Sequence, residues 1–307
     1  MVADAGFRAI TIGGGNTVHS GYDAEAGRQR IIDSTTCNGL AIDSIHAPFG
    51  PSADISVPDA GPESMADAIS AVVHERADSP VLNPGETAPS GAVLAENSTG
   101  QLPARRAQHA MQITYQPARQ RLEAVARVKM AIDAARALST RIVVVHPTDH
   151  FSVGEARLRI GAAKESLRDL SRYAAGRNIR LAVENLASPL SMQVFEAVLE
   201  YLPDLGICYD TSHALLSGDP FGVVCRYRDR IIAMHLSDNR GRSDDHLLPF
   251  EGIMPWEEFA CCLPRMKNLG CFMLEVEIRE SAFKDRGEFL AEAYRRARQV
   301  LELSPRT

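Results

Sequence analysis

Short apolar runs alternate with longer stretches of helical periodicity along most of this chain, and that alternation restricts the fold more than any other feature. The runs are FRAITIG (7–13), LAIDSIHAPF (40–49), RIVVVHP (141–147), IRLAVENL (179–186), LGICYD (205–210), RIIAMHLSD (230–238) and CFMLEVE (271–277). Several are apolar throughout, as parallel strands covered on both faces are. Between them, residues 115–138 carry Leu122, Val125, Val128, Ile132 and Ala135 at three- and four-residue steps. Residues 155–175 do likewise with Leu158, Ala162, Leu167 and Leu170, and Gly176 follows as a helix-ending residue. Further helices are predicted at 191–202, 219–228, 255–268 and 283–303. Strand and helix in alternation predict an α/β fold. Seven predicted strands fall one short of the eight in a (β/α)8 barrel. The opening VADAGF reads as the tail of a helix entering a strand. The expectation is therefore a TIM barrel lacking its first strand, with a doubly wound open sheet as the alternative.

Residues 58–112 break the pattern. A short helix is predicted over 64–77, followed by a stretch rich in Pro, Gly, Ser, Thr and Glu. This reads as a loop or disordered insertion within a single domain spanning 1–307. Composition excludes several classes. With 45% apolar and 23% charged residues the chain is an ordinary globular one. No apolar run approaches the roughly 20 residues of a membrane helix, and no basic-then-apolar leader opens the chain. The net charge of −6 argues against a protein that grips a phosphate backbone. Six cysteines without a CxxC pair read as reduced thiols of a cytoplasmic protein, with Cys208 a small core residue. The GGG at 13–15 lacks the spacing of a dinucleotide fingerprint.

The polar residues carry the functional signal. His46, His146, Glu184, Asp210 and His235 sit at the ends of predicted strands; His213 follows in DTSH, Asp244 and His246 lie in SDDHLLPFEG, and Glu275 lies in MLEVE. Alone, each has an ordinary explanation: a hydrogen-bonded core histidine, or Asp210 capping the next helix with Thr211 and Ser212. In a barrel, all strand C-termini meet at one mouth. Nine such groups gathered there are costly to desolvate unless a divalent cation offsets the carboxylate charge and uses the imidazole lone pairs. The donor set, imidazole and carboxylate without thiolate, suits Zn, Mn, Fe or Co, with Zn or Mn foremost and one to three ions. His19 and Tyr22, in the loop after the first run, are candidates to touch substrate or to lie at the surface. Arg240 and Arg242 are candidates to meet a substrate phosphate or carboxylate. His74 and His109 read as solvated, His150 as a weak substrate candidate, and Trp256 as packing for the helix after the DDH loop.

The series HAPF, VVHP, VEN, DTSH, HLSDN, DDHLLPFEG with Trp256 after it, and LEVE resembles the xylose isomerase-like TIM-barrel superfamily. That group includes sugar phosphate isomerases and epimerases, inosose dehydratases and the endonuclease IV group. The resemblance runs from residue 5 to about 300, leaving out the insertion. In epimerase-like members one metal is held by two Glu, one Asp and one His, which match Glu184, Asp210, His235 and Glu275. In the endonuclease IV group three zincs are held. The matching positions are His46, His146 and Glu184 for one, Glu184, Asp210, His235 and Glu275 for the second, and His213, Asp244 and His246 for the third. The sequence departs from the pattern in its missing first strand and in Phe250, which stands where a glycine precedes the EG pair. GGGNTVHSGY also does not resemble a DNA-penetrating loop.

The resemblance implies a metal-dependent isomerase or epimerase, or a related lyase, acting on a small polyhydroxy substrate. Glu184 and Glu275 would flank the reacting carbon as the proton-transferring groups. The alternatives are a multi-zinc phosphodiesterase of the endonuclease IV type and a metal-bearing barrel without catalysis. Nucleic acid and membrane partners are not expected, and a homo-oligomer stays open.

Overall fold

The computed structural model describes residues 1–13, 21–50, 53–58, 117–149, 151–263, 266 and 268–305. The insertion read over 58–112, apart from Pro58, lies outside them, as do His19, His74, His109 and His150. Seven strands form one sheet: β1 (Ala9–Ile12), β2 (Ala41–His46), β3 (Ile142–Val145), β4 (Arg180–Glu184), β5 (Gly206–Asp210), β6 (Ile231–Leu236) and β7 (Met273–Leu274). They are hydrogen-bonded in sequence order, and every adjacent pair is parallel. A doubly wound sheet would reverse its order at a switch point; this one does not, and it curls into a nearly closed barrel. Among the described residues, β1 and β7 are its two edges. The cleft between them, about 280 Å³, is lined by the residues that begin both strands and by Tyr294. Tyr294 meets Phe7 edge-on at 5.3 Å, and a Cβ on Gly6 would come within 2.8 Å of its ring.

Helices follow the strands: α1 (Glu25–Cys37), α2 (Pro117–Ala137), α3 (Ala156–Ala175), α4 (Pro189–Tyr201), α5 (Thr211–Leu216), α6 (Gly222–Tyr227), α7 (Trp256–Ala260) and α8 (Arg286–Leu303). Local chemistry starts several of them. Ser152 and Glu155 form a capping box before α3, Ser188 accepts the Ser191 N–H before Pro189 in α4, and Asp285 accepts the N–H groups of Gly287 and Glu288 at α8. In α2 the residues from Ala124 to Ala135 build the buried face, whereas Leu122 is exposed because it projects off that arc. α3 ends at Gly176 as expected, but with ordinary right-handed dihedrals; the left-handed residue is Asn178. α1 and α5 lack the apolar stripe by which the longer helices were read. Among the described residues of 255–268, the α-helix is the five-residue α7. No helix among the described residues is long and apolar enough to cross a membrane.

Strand parity sets the site. Successive side chains point to opposite faces. Val143, Val145, Leu181, Val183, Ile207 and Tyr209 enter the large core beneath the helices. Ile142, Val144, Ala182, Cys208, Ile232 and Ala233 form a separate small cluster that fills the barrel interior. Continuing the inward series of β3, β4 and β5 by one step gives His146, Glu184 and Asp210. The sequence therefore closes each inward apolar series with a polar group over the barrel axis.

Candidate metal centre

Glu184 is the hub. His46 Nε2 lies 3.0 Å and His146 Nε2 3.4 Å from its Oε2, while His235 Nδ1 at 3.3 Å and His213 Nδ1 at 3.4 Å face its Oε1. His46, Glu184, Asp210 and His235 are all buried, whereas the Glu275 side chain is 37% exposed. Glu275 Oε2 reaches His235 Nδ1 at 2.8 Å. Three sets of donor atoms each lie within 4.8 Å of one another: His46, His146 and Glu184; Glu184, Cys208 and His235; and Glu184, Asp210, His235 and Glu275. The remaining three residues form an outer edge around Asp244, whose Oδ2 lies 3.1 Å from His213 Nε2 and 3.0 Å from His246 Nε2. The structure thus brings together all nine residues singled out from the sequence.

Orientation is fixed from behind. His46 Nδ1 donates to the Ala47 carbonyl at 2.8 Å, which leaves the Nε2 lone pair facing the basin in the neutral ring. His213 Nδ1 and His246 Nδ1 lie 3.0 Å from the carbonyls of Asn185 and Glu275. Asp210 divides its oxygens. Oδ1 accepts the His213 N–H at 2.7 Å and caps α5, whereas Oδ2 is buried without a hydrogen-bond partner. The cap reading and the ligand reading of Asp210 both describe it, one oxygen each. Asn185 holds its backbone from both sides, donating to the Asp210 carbonyl and accepting its N–H, each at 2.9 Å.

The titration pattern fits a cation-binding basin. Burial raises the Glu184 carboxyl, but His235, His146 and His213 outweigh it and hold it well below the usual range. Burial likewise opposes ionisation of Glu275, and His235 brings it down to about 2. Burial pushes Asp210 up to about 7, against the pull of His213 and with Glu184, Glu275 and Asp244 adding to the rise. Despite burial, Asp210, Asp244 and Glu184 raise His213 well above its usual value, Cys208, Glu184 and Glu275 do the same for His235, and hydrogen bonding to Asp244 raises His246 to about 9. Protons here do what a divalent cation would do better: they supply positive charge between carboxylates that share one low-dielectric basin. The orphaned Asp210 Oδ2 and the imidazole–carboxylate set fit such an ion. Beneath them, burial raises the Cys208 thiol to about 12, so it stays protonated as a small interior residue.

The loop carrying Asp244 and His246 rests on a residue that the sequence pattern did not single out. Asp238, fully buried, accepts from the N–H groups of Asn239, Phe250 and Met254 and from Trp256 Nε1 at 2.9–3.1 Å. The signal was present in HLSDN, where charge and amide follow directly on a buried strand. Phe250 has φ +70°, which explains why a glycine belongs there, and His246 has φ +48°. Ser212, read from the sequence only as part of the Asp210 cap, donates to Asp244 Oδ1 at 2.6 Å. Arg240 and Arg242 are exposed on the same loop, and Arg240 pairs with Asp245 at 3.7 Å. Tyr22 is fully buried, away from any surface role. Trp256 packs edge-on against Phe259 at 5.7 Å.

Residues 1–301 match the family model of the xylose isomerase-like TIM barrel. Among curated proteins, the chain is 35% identical over 148 residues to the uncharacterized protein y4fM of Sinorhizobium fredii, covering 45% of this chain and 48% of that one. It is 24% identical over 154 residues to the uncharacterized protein MJ1614 of Methanocaldococcus jannaschii, covering 49% and 60%. The chain thus spans roughly half the length of the curated relatives it matches. Among solved structures, a D-tagatose 3-epimerase-like protein superposes with a TM-score of 0.65 at 18% identity, over 98% of this chain and 91% of that chain. The IOLI protein with a bound zinc atom gives 0.64 at 12% identity, over 100% and 94%. A D-psicose 3-epimerase in the presence of D-fructose gives 0.60 at 15% identity, over 97% and 91%. At these identities the superpositions speak for the fold.

Proposed function

The chain belongs to the xylose isomerase-like TIM barrel family, and from that premise we propose that it is a metal-dependent isomerase or epimerase of a small polyhydroxy carbonyl compound. The observation that carries this reading is the pair Glu184 and Glu275, two carboxylates held in the ionised form that both face His235 Nδ1, at 3.3 and 2.8 Å. A divalent cation held by Glu184, Asp210, His235 and Glu275 would polarise the carbonyl oxygen of the substrate. One carboxylate would take the proton from the carbon beside that carbonyl and, now protonated, return it to the neighbouring carbon for isomerisation; for epimerisation the other would first have to take up a proton from solvent and then deliver it to the opposite face. Glu275, the more exposed of the two, exchanges its proton with solvent between turnovers. His46 and His146 form the adjacent wall, with Phe49 stacked on His146 at 5.0 Å and 43% exposed to an entering substrate. The superposition on a D-tagatose 3-epimerase-like protein and a D-psicose 3-epimerase supports the substrate class.

A second reading rests on a specific feature. His46 with His146, and His213 with Asp244 and His246, flank the central set as two further donor groups. Three filled subsites would favour a phosphodiesterase-type hydrolase. Metal content per chain, measured beside turnover of a ketose panel and of bis(p-nitrophenyl) phosphate, separates the two. One equivalent with ketose turnover supports the isomerase. About three equivalents with ester hydrolysis replace it by the hydrolase.

A further inference from the structure

A cleft of about 850 Å³ lies not at the metal basin but on the opposite face of the barrel. It opens at the N-terminal ends of β4, β5 and β6, beside α3 and α4. Arg180 on its wall starts β4 and Glu184 ends it, so at a rise of about 3.3 Å per residue the two faces stand roughly 13 Å apart. Four arginines line the cleft: Arg168, Arg172, Arg180 and Arg230.

Arg230 donates to the carbonyls of Leu199, Leu202 and Leu205, so its orientation is fixed by neutral acceptors. Arg168 donates to the Tyr201 hydroxyl at 3.1 Å. The side chains of Arg172 and Arg180 are exposed and make no ion pair or hydrogen bond with the described residues. Only Asp204 and Asp229 supply carboxylates to the wall, so four guanidinium groups face two acids in a chain whose net charge is −6. The hydroxyl of Ser171, also in the wall, is buried without a partner. Buried Leu181, Leu205 and Ile232 form the apolar part, and Tyr201 offers a ring that is 43% exposed.

We propose that this cleft is a binding site for a small organic phosphate, separate from the metal basin. The guanidinium forks of Arg172 and Arg180 pair with phosphate oxygens, Arg168 and Arg230 add positive charge beside them, and the apolar floor takes the organic part. The volume suits a ligand of metabolite size. The concave shape and the two acidic residues on the wall disfavour an extended polyanion such as nucleic acid.

The test is calorimetric titration of the full-length, metal-stripped chain with inorganic pyrophosphate in EDTA. Saturable binding at one site is expected, weakened about tenfold or more in Arg172→Gln/Arg180→Gln and unchanged in Glu184→Gln. Equal binding by the double variant, loss of binding in Glu184→Gln, or no saturable heat in the native chain up to about 10 mM overturns the proposal. An independent measurement covers the case of a double variant that does not fold. Pyrophosphate is expected to slow phenylglyoxal modification of Arg172 and Arg180 in the native chain, read by peptide mass spectrometry. Unchanged modification would count equally against it.

Discussion

His46 Nε2 lies 3.0 Å from Glu184 Oε2, although β3 stands between the strands that carry them and 138 residues separate them in sequence. Such a contact is possible only where strand ends converge over a barrel axis, and it ties the chemistry of the basin to closure of the sheet. It also makes Glu184 the residue whose loss reaches furthest, because four imidazoles lean on one carboxylate.

Glu184→Gln removes that charge while keeping the shape. Turnover is expected to fall about 10²–10⁴-fold, the range for losing a proton-transferring group. Far-UV circular dichroism and cooperative melting should persist, because the apolar interior and the helix layer are untouched. Wild-type turnover in the variant would remove Glu184 from the site.

The metal-free protein should lose stability as pH rises. His246 is raised to about 9 by Asp244, against about 6.5 in the unfolded chain. A group raised on folding contributes fully below its unfolded value, and that contribution fades as pH climbs through its folded value. The melting temperature of the metal-free chain should therefore decline between about pH 6.5 and 9. Metal uptake has the opposite sign, because cation and proton compete for the same imidazoles. Calorimetric titrations in two buffers of different ionisation enthalpy would show proton release on binding; no release would mean that the imidazoles are not displaced from their protons.

Asp238 offers a structural test with a built-in reporter. Trp256, the one tryptophan of the chain, donates to it. Asp238→Ala leaves buried donors without an acceptor and should cost about 3–5 kcal/mol. It should also shift tryptophan emission to the red as the 240–256 loop loosens. A melting curve and spectrum like those of the native chain would show that the loop is held by other contacts.

Phe250 carries strain that a glycine would not. Its φ of +70° is costly for any side chain. Phe250→Ala and Phe250→Gly both remove the ring that sits 5.7 Å from Trp256, but only the glycine relieves the backbone. The glycine variant is expected to be the more stable of the two by about 1 kcal/mol in urea unfolding. Equal stability would mean that the loop has relaxed away from this conformation.

The barrel and its basin were legible because period-two alternation and strand ends are local properties. Val144 and His146, or Ala182 and Glu184, declare one face within three letters. Other features needed the fold. α1 escaped notice because it presents little apolar stripe, with only Gly27 and Thr35 buried. Leu122 was placed on the wrong side of α2 because a loose three-four spacing does not fix the edge of a buried arc. Asp238 gathers donors from as far as Trp256, a pattern with no spacing signature. The arginine cleft takes its lining from α3, the start of β4 and the segment before β6, and no stretch of sequence displays it.

Every role assigned to Glu184, Asp210, His235 and Glu275 requires that the basin hold a cation. A crystal grown with zinc or manganese, measured at that metal's absorption edge, tests this directly. The expected result is an anomalous peak about 2.0–2.2 Å from donor atoms of Glu184, Asp210, His235 and Glu275. A metal-replete crystal with no peak there, or with these four side chains facing different parts of the molecule, would contradict it.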